Sequence, residues 1–99
     1  MNSSNLSGIL TRDPVLRYSE SGRPQTRLEI RCHSGFGKVD GKTVKTYTTL
    51  PVYVFGEKAE RVAGWLREGY IVEVSAKLKA KGDMVVIEAD WVEEVRHAG

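Results

Sequence analysis

The sequence predicts an all-β domain with one helix, closed as a five-stranded barrel in which the helix lies between the third and fourth strands. Three observations carry that expectation. Apolar and polar residues alternate from Thr26 to Cys32, from Thr46 to Phe55 and from Val72 to Leu78, the period of half-buried strands. One stretch, Ala59, Val62, Ala63 and Leu66, changes to the i, i+3, i+4, i+7 spacing of a helix. Gly, Pro and Asp residues punctuate the joints between these segments.

The first strand is read from Ser4 to Leu10, with Arg12-Asp13-Pro14 supplying turn chemistry behind it. Gly8 inside this strand predicts a bend or a close backbone approach. Leu16-Arg17-Tyr18 prolongs the strand before Ser21-Gly22-Arg23-Pro24 breaks it. The second strand places Thr26, Leu28, Ile30 and Cys32 on one face and Arg27, Glu29 and Arg31 on the other. Residues 33–45 contain Gly35, Gly37 and Gly41 with Asp40, and read as a long loop or a splayed hairpin.

The third strand, Thr46 to Phe55, carries a message on both faces. Thr48, Leu50, Val52 and Val54 can point inward, leaving Tyr47, Thr49, Tyr53 and Phe55 together with Pro51 on the other side. A merely solvated sheet surface rarely holds three aromatic rings, so something flat is expected to dock there. After Gly56 comes a helix of about three turns with Gly69 as its stop. Trp65 adjoins its apolar stripe and reads as core. The fourth and fifth strands form a hairpin about Lys81-Gly82-Asp83, running on from Met84 to Val92. In the last strand Val85, Ile87, Ala89 and Trp91 are expected to share one face, opposite Val86, Glu88, Asp90 and Val92.

Three strands, a helix and two strands is the order of the OB barrel. An SH3-like barrel or an open α+β sheet fits the same order. With 99 residues, 40% of them apolar, the chain can bury one modest core, so residues 1–99 read as a single domain.

A net charge of only +2 does not by itself announce a nucleic-acid binder; the distribution of charge has to. Lys77, Lys79 and Lys81 recur at every second residue and project from one strand face, either as a basic row or as an edge guarded by lysines. Lys38, Lys42 and Lys45 sit in the glycine-containing segment with only Asp40 opposing them, which suits an arm around a polyanion. Arg27 and Arg31 add outward charge on the second strand. Phe36 lies among glycines away from any core, which favours an exposed role. Tyr18, Trp65, Tyr70 and Trp91 are assigned to core or interface.

Other chemistries find little support. The single cysteine, Cys32, excludes an internal disulfide framework and reads as an inert core thiol. Two histidines far apart do not make a metal cluster. No nucleophile triad, phosphate loop, dinucleotide fingerprint or carboxylate pair is readable, so no enzyme and no cofactor are expected. No apolar run approaches the roughly 20 residues of a membrane span, and Met1 to Gly8 lacks the features of a signal peptide. A soluble, cytoplasmic, nucleoid-associated protein is expected.

Ser4-Asn5-Leu6-Ser7-Gly8-Ile9-Leu10-Thr11-Arg12-Asp13-Pro14, followed by Leu16-Arg17-Tyr18 and Ser21-Gly22, resembles the opening of bacterial single-stranded DNA-binding proteins. Val52-Tyr53-Val54-Phe55-Gly56-Glu57-Lys58-Ala59-Glu60, Leu66-Arg67-Glu68-Gly69 and Tyr70-Ile71-Val72-Glu73-Val74 extend the likeness through most of the chain. The resemblance implies an OB barrel that stacks unpaired bases on aromatic rings. Phe55 matches a stacking phenylalanine of the family, and Phe36 stands where the family has a stacking tryptophan. A second family tryptophan falls at Thr49, flanked by Tyr47 and Tyr53. A third belongs to a longer hairpin that here shrinks to Lys81-Gly82-Asp83.

Two family basic positions appear as Glu57 and Glu68, so a weaker or rerouted electrostatic grip is expected. Family members carry a flexible linker and an acidic tip beyond the barrel, whereas this sequence ends at Gly99. It therefore reads as a trimmed chain or as a short relative of the primosomal replication type. The resemblance implies partners too: single-stranded DNA, further copies of the chain as a homotetramer or homodimer, and replication or primosome proteins. The work implied is sequence-independent binding in replication, recombination and repair. The alternatives are a dimeric accessory protein of replication restart, or an OB module that binds proteins rather than nucleic acid.

Overall fold

The structure, a computed structural model, describes residues 4–95 apart from the side chains of residues 34–36. Asp13 and Pro14 interrupt the first strand into β1 (Ser4–Leu10) and β2 (Val15–Tyr18). Both run antiparallel to β3 (Pro24–Val39), with Leu10 opposite Ile30 and Val15 opposite Arg27. They are two halves of one bent strand, in keeping with the expected prolongation through Tyr18. β4 (Lys42–Phe55), α1 (Glu57–Trp65), β5 (Ile71–Lys81) and β6 (Met84–Glu94) follow.

The ladder closes. β1 pairs with β5, β5 with β6, β6 with β4, β4 with β3, and β3 again with β1, which makes the five-stranded barrel that the order of elements predicts. Among the described residues only the β4–β6 contact is parallel, at Tyr53 opposite Glu88. Closure brings β1 very near β3. A Cβ on Gly8 would stand 2.7 Å from Ile30 Cγ2 and closer still to the Arg31 carbonyl oxygen, so only glycine fits there.

Leu10, Leu28, Ile30, Val52, Val54, Val72 and Val74 fill the barrel, joined by Ala59, Val62 and Leu66 from the helix segment. A buried Leu or Val contributes about 1.5–3 kcal/mol relative to leaving it in water, so this set dominates the stability of the fold. Thr26 is the buried polar side chain among them, and its hydroxyl donates to the Ala59 carbonyl at 2.6 Å, tying β3 to α1. The helix is shorter than three turns. Leu66 leaves helical geometry at φ −81°, ψ 150°, which lets its side chain drop into the core before Gly69 is reached. No helix among the described residues is long and apolar enough to cross a membrane.

Of the two readings of residues 33–45, a long loop or a hairpin, the structure has the hairpin, with paired arms and a two-residue turn, Asp40-Gly41, at positive φ in both positions, 51° and 77°. Thr43, Val44 and Thr46 supply the β-propensity that the intervening glycines hide. In β6 the expected faces fail after Ala89. Ala89 stands opposite Ala76 but Trp91 opposite Ser75, so Asp90 is an extra, bulged residue that reverses the alternation. Val92 therefore turns inward and Trp91, 53% exposed, turns out. Tyr18 is exposed as well and is not core; its hydroxyl donates to Glu60 Oε2 at 3.2 Å. Trp65 and Tyr70 pack against the core, with Trp65 Nε1 donating to Glu94 Oε1 at 3.0 Å.

Candidate nucleic-acid interface

Strand alternation builds the outer face of β3 and β4. Since Leu28, Ile30, Val52 and Val54 point inward, Arg27, Glu29, Arg31 and His33 lie beside Tyr47, Thr49, Pro51, Tyr53 and Phe55 on the outside. Tyr53 and Phe55, two residues apart, hold their rings nearly parallel at 21° with centroids 6.4 Å apart. Phe55 is 38% exposed and Tyr47 50%. Arg31 lays its guanidinium 4.5 Å over the Tyr47 ring, and His33 meets the same ring edge-on. Thr49 sits opposite Arg31 and leaves a gap between the two aromatic groups.

One carboxylate interrupts this surface. Glu29 accepts a hydrogen bond from the Thr11 hydroxyl at 2.9 Å and pairs with Arg27 at 3.2 Å, and these contacts hold its carboxyl below the usual range. Arg27 is in turn raised by its bonds to Glu29 and then to Tyr53, so part of its charge is already engaged within the protein although its side chain remains 39% exposed.

The lysines separate into groups. Alternation keeps Lys38 and Lys45 on the Tyr47 side of the hairpin arm and turns Lys42 to the opposite side. All three are exposed. Phe36 pairs through its backbone with Lys45, but its side chain lies outside the described residues. Lys77, Lys79 and Lys81 form the expected row on β5, yet two of them are occupied. Lys77 pairs with Asp90 at 3.2 Å and Lys79 with Glu88 at 3.1 Å. Lys81 has no ion-pair partner among the described residues.

A groove of about 740 Å³ opens between β4 and the β5–β6 hairpin, walled by Leu50, Pro51, Tyr53, Met84 and Val86. The surface thus offers parallel rings, exposed cations and an apolar cleft. It can stack planar groups and neutralise anions strung at regular spacing. Burial pushes the Cys32 thiol up, away from its reactive form.

Residues 1–84 match the single-strand binding protein family. The chain belongs to that family.

A single-stranded DNA-binding protein of Borreliella burgdorferi is 36% identical over 83 residues, covering 80% of this chain and 52% of the relative. One from Fusobacterium nucleatum is 30% identical over 79 residues, covering 80% and 51%. The chain spans about half the length of these relatives. The crystal structure of the wild-type single-stranded DNA binding protein from Thermus aquaticus superposes with a TM-score of 0.82 at 22% identity, over 97% of this chain and 50% of that one. That likeness is one of fold, the OB barrel of the single-strand binding proteins.

Of the residues that sequence reasoning selected, the structure brings together Arg31, Tyr47, Thr49, Tyr53 and Phe55 on one face, and places Lys38 and Lys45 on the arm that continues it. Leu50, Met84 and Val86 escaped selection. The groove they line exists only because β4 meets β6 in the closed barrel, a contact between segments more than thirty residues apart that no local pattern announces. Much of its β6 wall also lies beyond residue 84, where the family match ends.

Proposed function

We propose that this protein binds single-stranded DNA without sequence preference, stacking bases on Tyr47, Tyr53 and Phe55 and neutralising phosphates with Arg31, Lys38, Lys45 and Lys81. The observation that carries the reading is the parallel, outward-facing Tyr53–Phe55 pair on β4, with the Arg31-capped Tyr47 further along the same strand. Base stacking needs only a π-face, which every base has, and contributes roughly 1–3 kcal/mol per base. The names of the relatives support the same ligand. Thr49 lines the path without a ring, Phe36 extends the arm along the strand, and Lys42, on the far side of that arm, contributes only if the strand wraps around it. Lys77 and Lys79 contribute less than their spacing suggests, because each is held by a carboxylate.

Binding of this kind serves replication, recombination and repair, and requires no catalysis by the chain itself. Self-association into a homotetramer or homodimer, and contact with replication or primosome proteins, complete the proposal. The deciding experiment is a titration with oligo-dT at two salt concentrations, following the intrinsic Tyr and Trp emission. Quenching is expected from stacking. With four to six phosphates neutralised, log K should fall with log salt at a slope of about −3 to −4. An unquenched signal with no affinity at low salt would rule the reading out.

A further inference from the structure

We infer that the tip of the β3–β4 hairpin of one copy of this chain docks in the cleft between α1 and β6 of another, with Val39 as the plug and Asp40 against Arg61. The inference does not depend on what the stacking face binds. It joins two features that the proposed binding surface leaves unused.

The first is the cleft. α1 packs on β2, β3 and β4, and between it and β6 lies an opening of about 300 Å³, at the lower end of the range of about 300–1,000 Å³ found for ligand sites. The buried side chains of Val54, Val62 and Val92 form its floor, and Trp91 stands exposed at its edge. Most of its polar groups are already engaged. Asp90 is held by Lys77 at 3.2 Å, Glu94 by the Trp65 indole at 3.0 Å, and Lys58 by the Asp90 carbonyl at 2.6 Å. Two exposed charges remain at the rim, Arg61 on the α1 side and Glu93 on the β6 side, neither in an ion pair among the described residues.

The second feature is the hairpin tip. On the side of β4 that faces the core at Val52 and Val54, alternation places Val44 and Lys42, with Val39 across the turn from Lys42. The barrel ends before them. The parity that buries Val52 therefore leaves Val39 57% exposed, and a two-stranded ribbon with open valines on one side is marginal in water until something covers it. Asp40, in the turn itself, is exposed and has no ion-pair partner among the described residues.

The two features fit each other in sign and in order. Val39 meets the apolar floor while Asp40 faces Arg61 and Lys42 faces Glu93, so one turn supplies both charges that the rim lacks. A second copy brings that apolar, acidic and basic order already folded, which lowers the ordering cost of docking. Because tip and cleft are different surfaces, the contact is heterologous and links copies into a ring or a chain. Lys38 and Lys45 lie on the other side of the arm, so docking leaves the Tyr47 face open.

Both tryptophans of the chain line the cleft, so their emission reports whether it is filled. The test follows molar mass by light scattering, together with tryptophan emission, over a protein concentration series without DNA. It compares the full chain, Val39→Lys, Arg61→Glu and an equimolar mixture of the two variants. The mass of the full chain should rise with concentration while its emission shifts. Each variant should need roughly tenfold more protein to reach the same mass, since a lysine in an apolar cleft loses its hydration and a glutamate at the rim repels Asp40. The mixture should recover, because Arg61→Glu keeps an intact tip and Val39→Lys an intact cleft. If either variant melts well below the parent, Val39→Thr and Arg61→Gln, which keep the local propensities, repeat the comparison. A mixture no heavier than its components, or a rise in parent mass with unchanged emission, overturns the inference. A parent mass independent of concentration overturns it too, and would leave the cleft to a segment of a different protein.

Discussion

Glu88 stands opposite Lys77 in the β5–β6 register, yet its carboxylate pairs diagonally with Lys79 at 3.1 Å, while Lys77 reaches Asp90 at 3.2 Å. Exposed pairs of this sort contribute little to stability, about 0–1 kcal/mol. Their larger effect is on binding, since a lysine held by a carboxylate must release it before it can meet a phosphate. Glu88→Gln should therefore tighten binding to oligo-dT several-fold and steepen the salt slope by about 0.7, the contribution of one more neutralised phosphate. Equal affinities and slopes for the two proteins, measured across a salt series, would show that Lys79 does not face the strand.

Phe55 and Tyr53 are surface rings whose removal should separate binding from folding. Alanine at either position is expected to cost about 1–3 kcal/mol of binding free energy, the worth of one stacked base. Thermal unfolding should change little by comparison, because Phe55 is 38% exposed and neither ring belongs to the buried cluster. A variant that melts far below the parent while binding normally would mean that the pair is structural.

The aromatic face was legible in the sequence because strand alternation is a local property. Once Val52 and Val54 are inside, Tyr53 and Phe55 must be outside, and the structure keeps that order. Gly8 was legible for a similar reason, as an interruption inside a strand pattern. Trp91 was not. A bulge at Asp90 leaves no mark in the hydrophobic pattern, so the apolar Val85, Ile87, Ala89, Trp91 series continues in the sequence where the backbone has already changed face. The hairpin arm was half legible: its Asp40-Gly41 turn is a strong signal, but glycines at 35 and 37 obscured the pairing on either side. The pairing of the lysines with Glu88 and Asp90 depends on the β5–β6 register, which follows from the turn and the bulge rather than from the spacing of lysines alone.

Two glycines should respond oppositely to alanine. At Gly8 the new methyl would run into the Arg31 backbone and Ile30 where the barrel closes, and the chain should lose about 1–3 kcal/mol by urea unfolding. Gly64 lies within α1, where an added methyl would meet nothing within 4 Å, so alanine there should gain up to about 1 kcal/mol from helix propensity. Destabilisation at both sites would show that the helix position is constrained by something other than local space.

Acid should find Glu29. Its carboxyl is held below the ordinary value near 4.5, first by the Thr11 hydroxyl and then by Arg27. A carboxyl whose folded pKa is depressed stabilises the fold fully above its unfolded value and loses that contribution as pH falls through the folded one. The stability difference between the parent chain and Glu29→Gln should thus be constant near neutrality, begin to shrink as the pH drops past about 4.5, and level off below the lowered value. Thr11→Val, which removes the first of the two partners, should move that decline to higher pH. Since the Glu29 side chain is still 28% exposed and its partner Arg27 39%, added salt should shrink the Arg27 share of the effect and spare the Thr11 share. Urea unfolding at a series of pH values distinguishes the cases: a difference that grows on acidification would mean that Glu29 is destabilising as a carboxylate and that its two contacts do not govern it.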